Sequence, residues 1–491
     1  MKTLSKNFAA ITIALILMTL NSFSQTSITL KPGGEEGIDA TIRSLSPDTN
    51  YGEYPDLSPR AWTNSLNPIT TSELLKFDLS IVPTDATIVS AELSLFFNPT
   101  SSNGYEHSCL SGPNTLLIQK ITDEWDENTV TWNNQPNTVT TNQVTVPQTW
   151  EGQQDYLYID VTDLTIDIFQ NQSANYGMML RLNNEIYYRR MIFASSDHTD
   201  DALHPQLTIT YFEPSENFMI LKPGGNEGKD ATLRNLSPNT NYGNYPYLSP
   251  RAWTNAGEHL VTRELIQFDL SFLPQEAMVL NAQLYLYYCP NSSTGAWHSN
   301  MSGFNNLWIR RVTSEWDELS VTWNSEPSTT TQNQVEVPPT KCPTQNYPHI
   351  DVTNLINDML GDSTENHGMM LKLQDEMYYR RMIFASGDHS NPLLHPKLVI
   401  SYDEPTGENP GYIRHEMLQC SPNPTTGQIT VKKCSAEKAT VSIVNICGQT
   451  IYTDEMRTET KTIDLSAQPN GIYFLRLATD QDTFTEKIIR K

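Results

Sequence analysis

The chain has 491 residues and a formal charge of −24. That charge argues against nucleic acid, whose phosphates it would repel, and serves solubility without bearing on the fold. At roughly 150 residues per domain, the length predicts about three domains, each large enough to bury its own core.

The N-terminus reads as an export signal over residues 1–24. Lys2 and Lys6 make a basic start, Ala9 to Leu20 is apolar apart from Thr12 and Thr19, and Ser22-Phe23-Ser24 offers small residues for cleavage. The apolar run is too short to span a membrane, and no later stretch supplies a span. No cysteine stands at the cleavage point, which argues against a lipoprotein anchor.

After this the chain repeats itself. Leu30–Asn64 recurs as Leu221–Asn255 with 28 of 35 positions identical. The offset of 191 residues holds through Trp62/Trp253, Trp125/Trp316, Asp160/Asp351, Arg190/Arg381 and His204/His395. A duplication without net insertion makes each copy a complete folding unit, and two linked copies suit avidity rather than a two-step enzyme.

Within each copy the pattern is β. Ala91, Leu93, Leu95 and Phe97 alternate with Glu92, Ser94 and Phe96, and Ala282, Leu284, Leu286 and Tyr288 repeat them. This is the period of a half-buried strand. Turn clusters at Pro32-Gly33-Gly34, Pro47–Gly52 and Asn133–Pro136 separate the strands. One short helix is expected over Leu164–Phe169, capped by Asp160 or Thr162. Many short strands and scarce helix predict an all-β chain: two tandem β-sandwich (jelly-roll) domains, over residues 26–212 and 217–403, plus a small C-terminal β-sandwich. Glu213–Glu216 is too short a link to give the copies much freedom. Residues 404–415 form a second linker, and the tail, 416–491, has strands at Gln428–Val431, Ala439–Ile446 and Gly471–Leu477.

Six cysteines in an exported chain permit disulfides. Cys289 and Cys342 are both absent from the first copy, where Asn98 and Glu151 stand, so a bridge between them is the expected pairing. No pair has CxxC spacing, which leaves zinc and redox chemistry without support.

Six ordered segments carry a family resemblance in the first copy, and all return in the second. They are Asp39-Ala40-Thr41 with Asn50-Tyr51-Gly52, Leu75-Lys76-Phe77-Asp78-Leu79-Ser80, Ser90-Ala91-Glu92-Leu93, Glu124-Trp125 leading to Val130-Thr131-Trp132-Asn133, Asp160-Val161-Thr162, and Asn175-Tyr176-Gly177. Each copy thereby resembles a DNRLRE (disaggregatase-related) carbohydrate-binding domain. The ending Asp197-His198 to His204-Pro205 departs from the family pattern and leaves the role of its histidines open. The tail has Ser421-Pro422-Asn423-Pro424 with Gly427, Val444-Asn445-Ile446-Cys447-Gly448, Leu465 to Tyr473 and the closing Lys487-Ile488-Ile489-Arg490-Lys491. It is similar to the C-terminal sorting domain of type IX secretion in the Bacteroidota. That resemblance implies the outer-membrane type IX machinery as a partner, and an extracellular or cell-surface location after removal of the tail.

No catalytic constellation stands out, so the chain is expected not to be an enzyme. Glu124 and Asp126, with Glu315 and Asp317, could be imagined as glycosidase pairs, but acids flanking a tryptophan beside a turn are better read as solvated loops. His198/His204 and His389/His395 are expected to hold a loop rather than a metal. More informative are basic positions that are basic in both copies: Lys31/Lys222, Arg43/Arg234, Arg60/Arg251, Arg189/Arg380 and Arg190/Arg381. With Trp62/Trp253 and Tyr188/Tyr379 they are the expected ligand-binding residues. Guanidinium forks pair with carboxylates or sulfates, and aromatic faces stack on sugars. The competing reading pairs these arginines with Asp39, Glu73 and Asp78 and packs Trp62 in the core. Trp125 and Trp132 are expected to be structural. No cofactor is expected beyond room for a structural calcium, for which Asp39/Asp230 is the best candidate. The expected function is a non-catalytic polysaccharide binder, with acidic glycans the class that suits the arginines. The alternatives are a structural or adhesive surface protein and, third, a polysaccharide lyase using Arg190 and Tyr188.

Overall fold

The computed structural model describes residues 25–491 except 35–36, 172–173, 215, 226–227, 275–276, 361–365, 404–417, 434–437, 446–448 and 479–482. The expected signal peptide and second linker, with Cys434 and Cys447, therefore lie outside the described residues. No described helix is long and apolar enough to cross a membrane.

The first copy is a sandwich of two main sheets. The smaller has four strands in the order Thr26–Leu30, Gln206–Phe212, Thr87–Leu95, Tyr156–Asp160. The larger runs Ser108–Cys109, Arg189–Arg190, Arg60–Asn64, Asn67–Lys76, Met178–Leu182, Leu116–Ile121, Thr138–Val146, and Ile38–Arg43 also pairs with Asn67–Lys76. Leu93, Leu95, Leu207 and Ile209 of the smaller sheet meet Leu75, Leu116, Ile118 and Leu180 of the larger in one apolar core. A two-stranded ribbon, Asp56–Leu57 with Phe193–Ala194, is separate from both sheets. The second copy repeats the topology strand for strand. The expected helix forms over Thr162–Phe169, and Asp160 Oδ1 accepts the Thr162 N–H at 2.9 Å just before it.

The alternating strand departs from expectation in one respect. Ser90, Glu92 and Ser94 are as buried as Ala91 and Leu93. Their face is covered by the second copy, because the short link folds that copy back onto the smaller sheet. Phe212 stacks on Phe218 at 4.4 Å, and Val89, Ile220, Tyr285, Tyr287 and Val399 join them in a shared apolar cluster. Buried Lys397 donates to the Val89 carbonyl at 2.9 Å with its ammonium 4.1 Å from the Tyr285 ring centre. Its counterpart in the first copy is Gln206, so this contact arose by divergence of the copies.

The tail forms a third sandwich. Leu418–Ser421, Gln428–Lys433 and Thr460–Asp464 make one sheet; Thr450–Met456, Ala439–Asn445, Gly471–Ala478 and Thr483–Arg490 make the other. Ile429, Val431, Val441, Ile443, Leu475 and Ile488 fill its core.

The expected Cys289–Cys342 bridge is not formed: both thiols are free. Cys289 packs with Tyr247, Ile383 and Ala385 inside the second copy, whereas Cys342 lines the cleft between the copies. The two cysteines serve different surroundings, and their joint absence from the first copy has another origin.

Candidate functional site

Strand register assembles the site. Antiparallel partners stand side by side on one face. Arg43 lies opposite Thr71, Thr71 opposite Arg60, and Arg60 opposite Arg190. Three arginines and a threonine thus form one row across four strands. In the second copy the row is Arg234, Thr262, Arg251 and Arg381. The neighbouring row toward the hairpin is aromatic. Trp62, opposite Ile69, meets Tyr188 edge to face at 5.2 Å and carries the Arg190 guanidinium 4.6 Å from its ring centre. Trp253, Tyr379 and Arg381 repeat this at 5.2 and 4.7 Å.

Tyr188 and Tyr379 have φ of 72° and 66°. A bulky side chain in the left-handed region costs about 1–3 kcal/mol and persists only where its surroundings hold it. Here the strain turns each ring onto the tryptophan while leaving it about 40% exposed (43% and 39%).

Arg43 and Arg60 are the least satisfied members. Among the described residues no carboxylate stands within ion-pairing distance of Arg43, Arg60, Arg190 or their counterparts. The Nε donors of Arg43, Arg60, Arg234 and Arg251 are buried without a hydrogen-bond partner, a condition that costs free energy until something accepts from them. Arg60 donates Nη1 to Asn103 Oδ1, and Arg43 lies 5.8 Å from the Tyr51 ring centre. Burial, and then the neighbouring Arg43, lower the pKa of Arg60. Fully buried Glu73, one row away, is pushed up to about 8 by desolvation and accepts from Thr41 Oγ1. At neutral pH it is largely protonated and leaves the arginines their charge. Glu264 in the second copy is likewise pushed up to about 8 by burial. In that copy a cavity of about 250 Å3 opens over the row, walled by Tyr245, Tyr247, Ser293 and Thr294.

Arg190 has a second task. It donates Nε to the Glu106 carbonyl at 2.9 Å and Nη1 to the Asn103 carbonyl at 2.8 Å. Gly104 packs against it so closely, at φ 144°, that a Cβ would stand 2.2 Å from the guanidinium carbon. Arg190 therefore holds the Asn103–Glu106 loop and the face of Trp62 together.

Four expected residues are placed elsewhere. Arg189 alternates to the opposite side of its strand, is buried, and donates Nη2 to the Ser111 carbonyl at 2.5 Å; Arg380 does the same to Ser302 at 2.7 Å. Lys31 follows the first strand of the smaller sheet and is exposed. Lys222 donates to the Leu393 carbonyl at 3.0 Å beside the copy contact. The proposed ion-pair partners are also elsewhere: Asp78 is exposed and caps Ser80 at 2.9 Å, and Asp39 accepts from Ser196 N–H at 2.9 Å.

The remaining expectations divide cleanly. Trp125 donates Nε1 to the Tyr176 carbonyl at 2.7 Å and packs with Trp132 on a small core, as structural residues should. Asp126 accepts from Asn128 N–H and Thr129 Oγ1 within its own loop, both at 3.1 Å. His204 donates Nε2 to the His198 carbonyl at 2.7 Å, and His198 Nδ1 accepts from Asp200 N–H at 3.0 Å, so the histidine loop is closed by hydrogen bonds. Sequence reading missed Asp56, Tyr54, Asn103 and their counterparts Tyr247, Tyr245 and Thr294, which wall the row. The differences between copies at Asp56/Tyr247 and Asn103/Thr294 are the signals that could have drawn attention to them.

A cavity of about 740 Å3 lies between the copies and is lined by Trp150, Trp297, Lys222 and Lys397. Its aromatic lining occurs once, since Trp150 and Trp297 correspond to Lys341 and Glu106. The arginine row, by contrast, is built twice.

No curated protein matches the chain. The tail, residues 420–491, matches the secretion system C-terminal sorting domain, which marks the chain for type IX export to the cell surface or beyond. Carbohydrate-binding module family 96 matches residues 35–211 and again 225–402, and the chain belongs to that family.

Proposed function

We propose that each copy binds an acidic polysaccharide along its arginine row, without catalysis, and that two linked copies hold a long polymer at or near the cell surface. One observation carries this reading: adjacent half-buried guanidiniums stand without a carboxylate partner among the described residues, beside an exposed tyrosine and a half-buried tryptophan. Carboxylate or sulfate oxygens would pair in bidentate fashion with the part of each guanidinium that stays exposed, and Trp62 with Tyr188 would take a sugar face. Asp126, one of the acids beside Trp125, is bonded within its own turn, which supports binding rather than cleavage.

Affinity gels and calorimetry with uronate, sulfated and neutral polysaccharides test the reading. Retardation by the anionic polymers is expected, weakening steeply with added salt because exposed charge pairs are screened over about 8–10 Å. Binding confined to neutral glycans, or none at millimolar sugar, would overturn it. Tandem copies should exceed one active copy by about 10²-fold or more on long polymers if both rows reach one strand of ligand.

A further inference from the structure

We propose that each copy also holds a hard divalent cation of the calcium class, bound by Asp39, Glu127 and Asp197 in the first copy and by Asp230, Glu318 and Asp388 in the second. In the second copy one carboxylate oxygen from each member of this trio lies within 4.8 Å of the other two. Two oxygens each about 2.4 Å from one calcium can be at most about 4.8 Å apart, so the spacing is that of a shared ion. The trio comes from three separate segments: the strand Ile38–Arg43, the loop after Trp125 and the loop before the final strand. The same three positions recur at the offset of 191 residues.

The acids are held, not merely gathered. Glu127 accepts the Asp39 N–H at 2.9 Å and Glu318 the Asp230 N–H at 2.8 Å. Asp39 Oδ2 accepts from Ser196 N–H at 2.9 Å, and Asp230 Oδ2 from Gly387 N–H at 2.8 Å. Their other oxygens point to an independent conclusion. Asp39 is only 1% exposed, yet its Oδ1 has no hydrogen-bond partner. Asp197 Oδ2, Ser196 Oγ and Asp388 Oδ2 are buried without partners as well. Among the described residues, no lysine or arginine forms an ion pair with any of the six acids.

The surrounding chain closes on these oxygens. A Cβ on Gly34 would stand 2.5 Å from Asp197 Oδ1, and one on Gly225 would stand 2.0 Å from Asp388 Oδ1. The glycine-rich opening of each copy is thus shaped to the carboxylate. The donor set is three carboxylates, without sulfur or imidazole, which selects calcium or magnesium over zinc. Asp39 and Arg43 alternate onto one face of their strand, roughly 13 Å apart at about 3.3 Å per residue. A cation would pin the far end of the strand that carries Arg43, whatever ligand the arginine row takes.

Calcium titration of the chelator-stripped mature chain tests this by calorimetry and thermal unfolding. Two equivalents are expected, with a thermal midpoint that rises with calcium concentration. Asp39→Asn should leave one equivalent, and Asp39→Asn with Asp230→Asn none. Should the aspartate variants fail to fold, Glu127→Gln with Glu318→Gln, whose side chains are only partly buried, should lose the same two equivalents. No uptake by the wild-type chain, or two equivalents retained in either double variant, would overturn the proposal.

Discussion

The two copies share a scaffold and an arginine row but differ in what stands behind the row. In the first copy Asp56 is buried beside Arg60 and accepts from Ser101 Oγ at 2.7 Å, from Asn103 Nδ2 at 2.9 Å and from Asn98. Asn103 in turn accepts from Arg60, so the guanidinium is tethered to a carboxylate through one amide. In the second copy Tyr247, Cys289 and Thr294 replace Asp56, Asn98 and Asn103. Tyr247 OH meets Ser293 Oγ at 2.6 Å, and Arg251 reaches only the Thr294 carbonyl at 3.3 Å. One buried negative charge and one tether are therefore missing from the second copy. The same fold presents a partly neutralised row in one place and an unopposed row in the other, and the second copy is expected to be the stronger anion site.

The largest effect should come from removing both rows. Replacing Arg43, Arg60, Arg234 and Arg251 by alanine is expected to lower affinity for an anionic polymer more than 100-fold, about 2.7 kcal/mol or more. The thermal midpoint should hold, because none of the four forms an ion pair in the described residues. A midpoint that collapses with binding intact would mean that these arginines are structural. Arg189→Ala is the opposite control. It removes a buried cation that bonds the Ser111 carbonyl, so it should cost about 2 kcal/mol of stability while the surviving folded protein still binds. Denaturant melts with parallel gel retardation separate the two outcomes.

Exchanging the residue behind the row sharpens the comparison further. Asp56→Asn keeps the shape and most hydrogen bonds but removes the charge. A unit charge about 8 Å from the ligand at an effective dielectric of about 20 is worth roughly 2 kcal/mol; solvent and partial protonation reduce this, and about a tenfold gain in first-copy affinity is expected. It is best measured in a chain whose second row carries Arg234→Ala and Arg251→Ala. No gain would show that the tether, rather than the charge, separates the copies.

Why Asp56 escaped sequence reading is instructive. The duplication, the strand periodicity and the short helix are local signals, repeated every second residue or fixed by a cap. The row of Arg43, Arg60 and Arg190 was legible as a set of residues because each is basic in both copies, but its geometry depends on register across four strands. Period-two alternation separates Arg189 from Arg190, yet it does not say which side meets Trp62. Lys31 looked equivalent to Arg43 because nothing local says that the strand before it joins the smaller sheet. Asp56, in a two-residue strand, has no periodicity at all, and its importance comes from residues 42 to 47 positions away. The acid trio was glimpsed through Asp39 alone, since Glu127 and Asp197 are distant in sequence and meet it only in the fold.

The smallest effect expected is a convergence of the copies as pH falls. Desolvation holds the Asp56 carboxyl above its ordinary range, against the opposing pull of its hydrogen bonds, Arg60 and His198. Lowering the pH protonates Asp56 and frees the charge of Arg60, and an anion binds the protonated form better. First-copy affinity should therefore rise as the pH falls through the raised range of this carboxyl. The second copy has no carboxylate at that position and gains nothing from this step. Glu73 and Glu264, both pushed up to about 8, occur in matching places, so their contributions largely cancel in the ratio between copies. A sulfated polymer is the right probe, because its own charge stays constant over this range. With each row active in turn in the full chain, the affinity ratio should shrink by a few-fold. Partial protonation keeps this below the full tenfold, about 1.4 kcal/mol, expected from removing the charge outright. Asp56→Asn should flatten the trend. A ratio that stays constant with pH in the wild-type rows would remove the buried carboxylate as the cause of their difference.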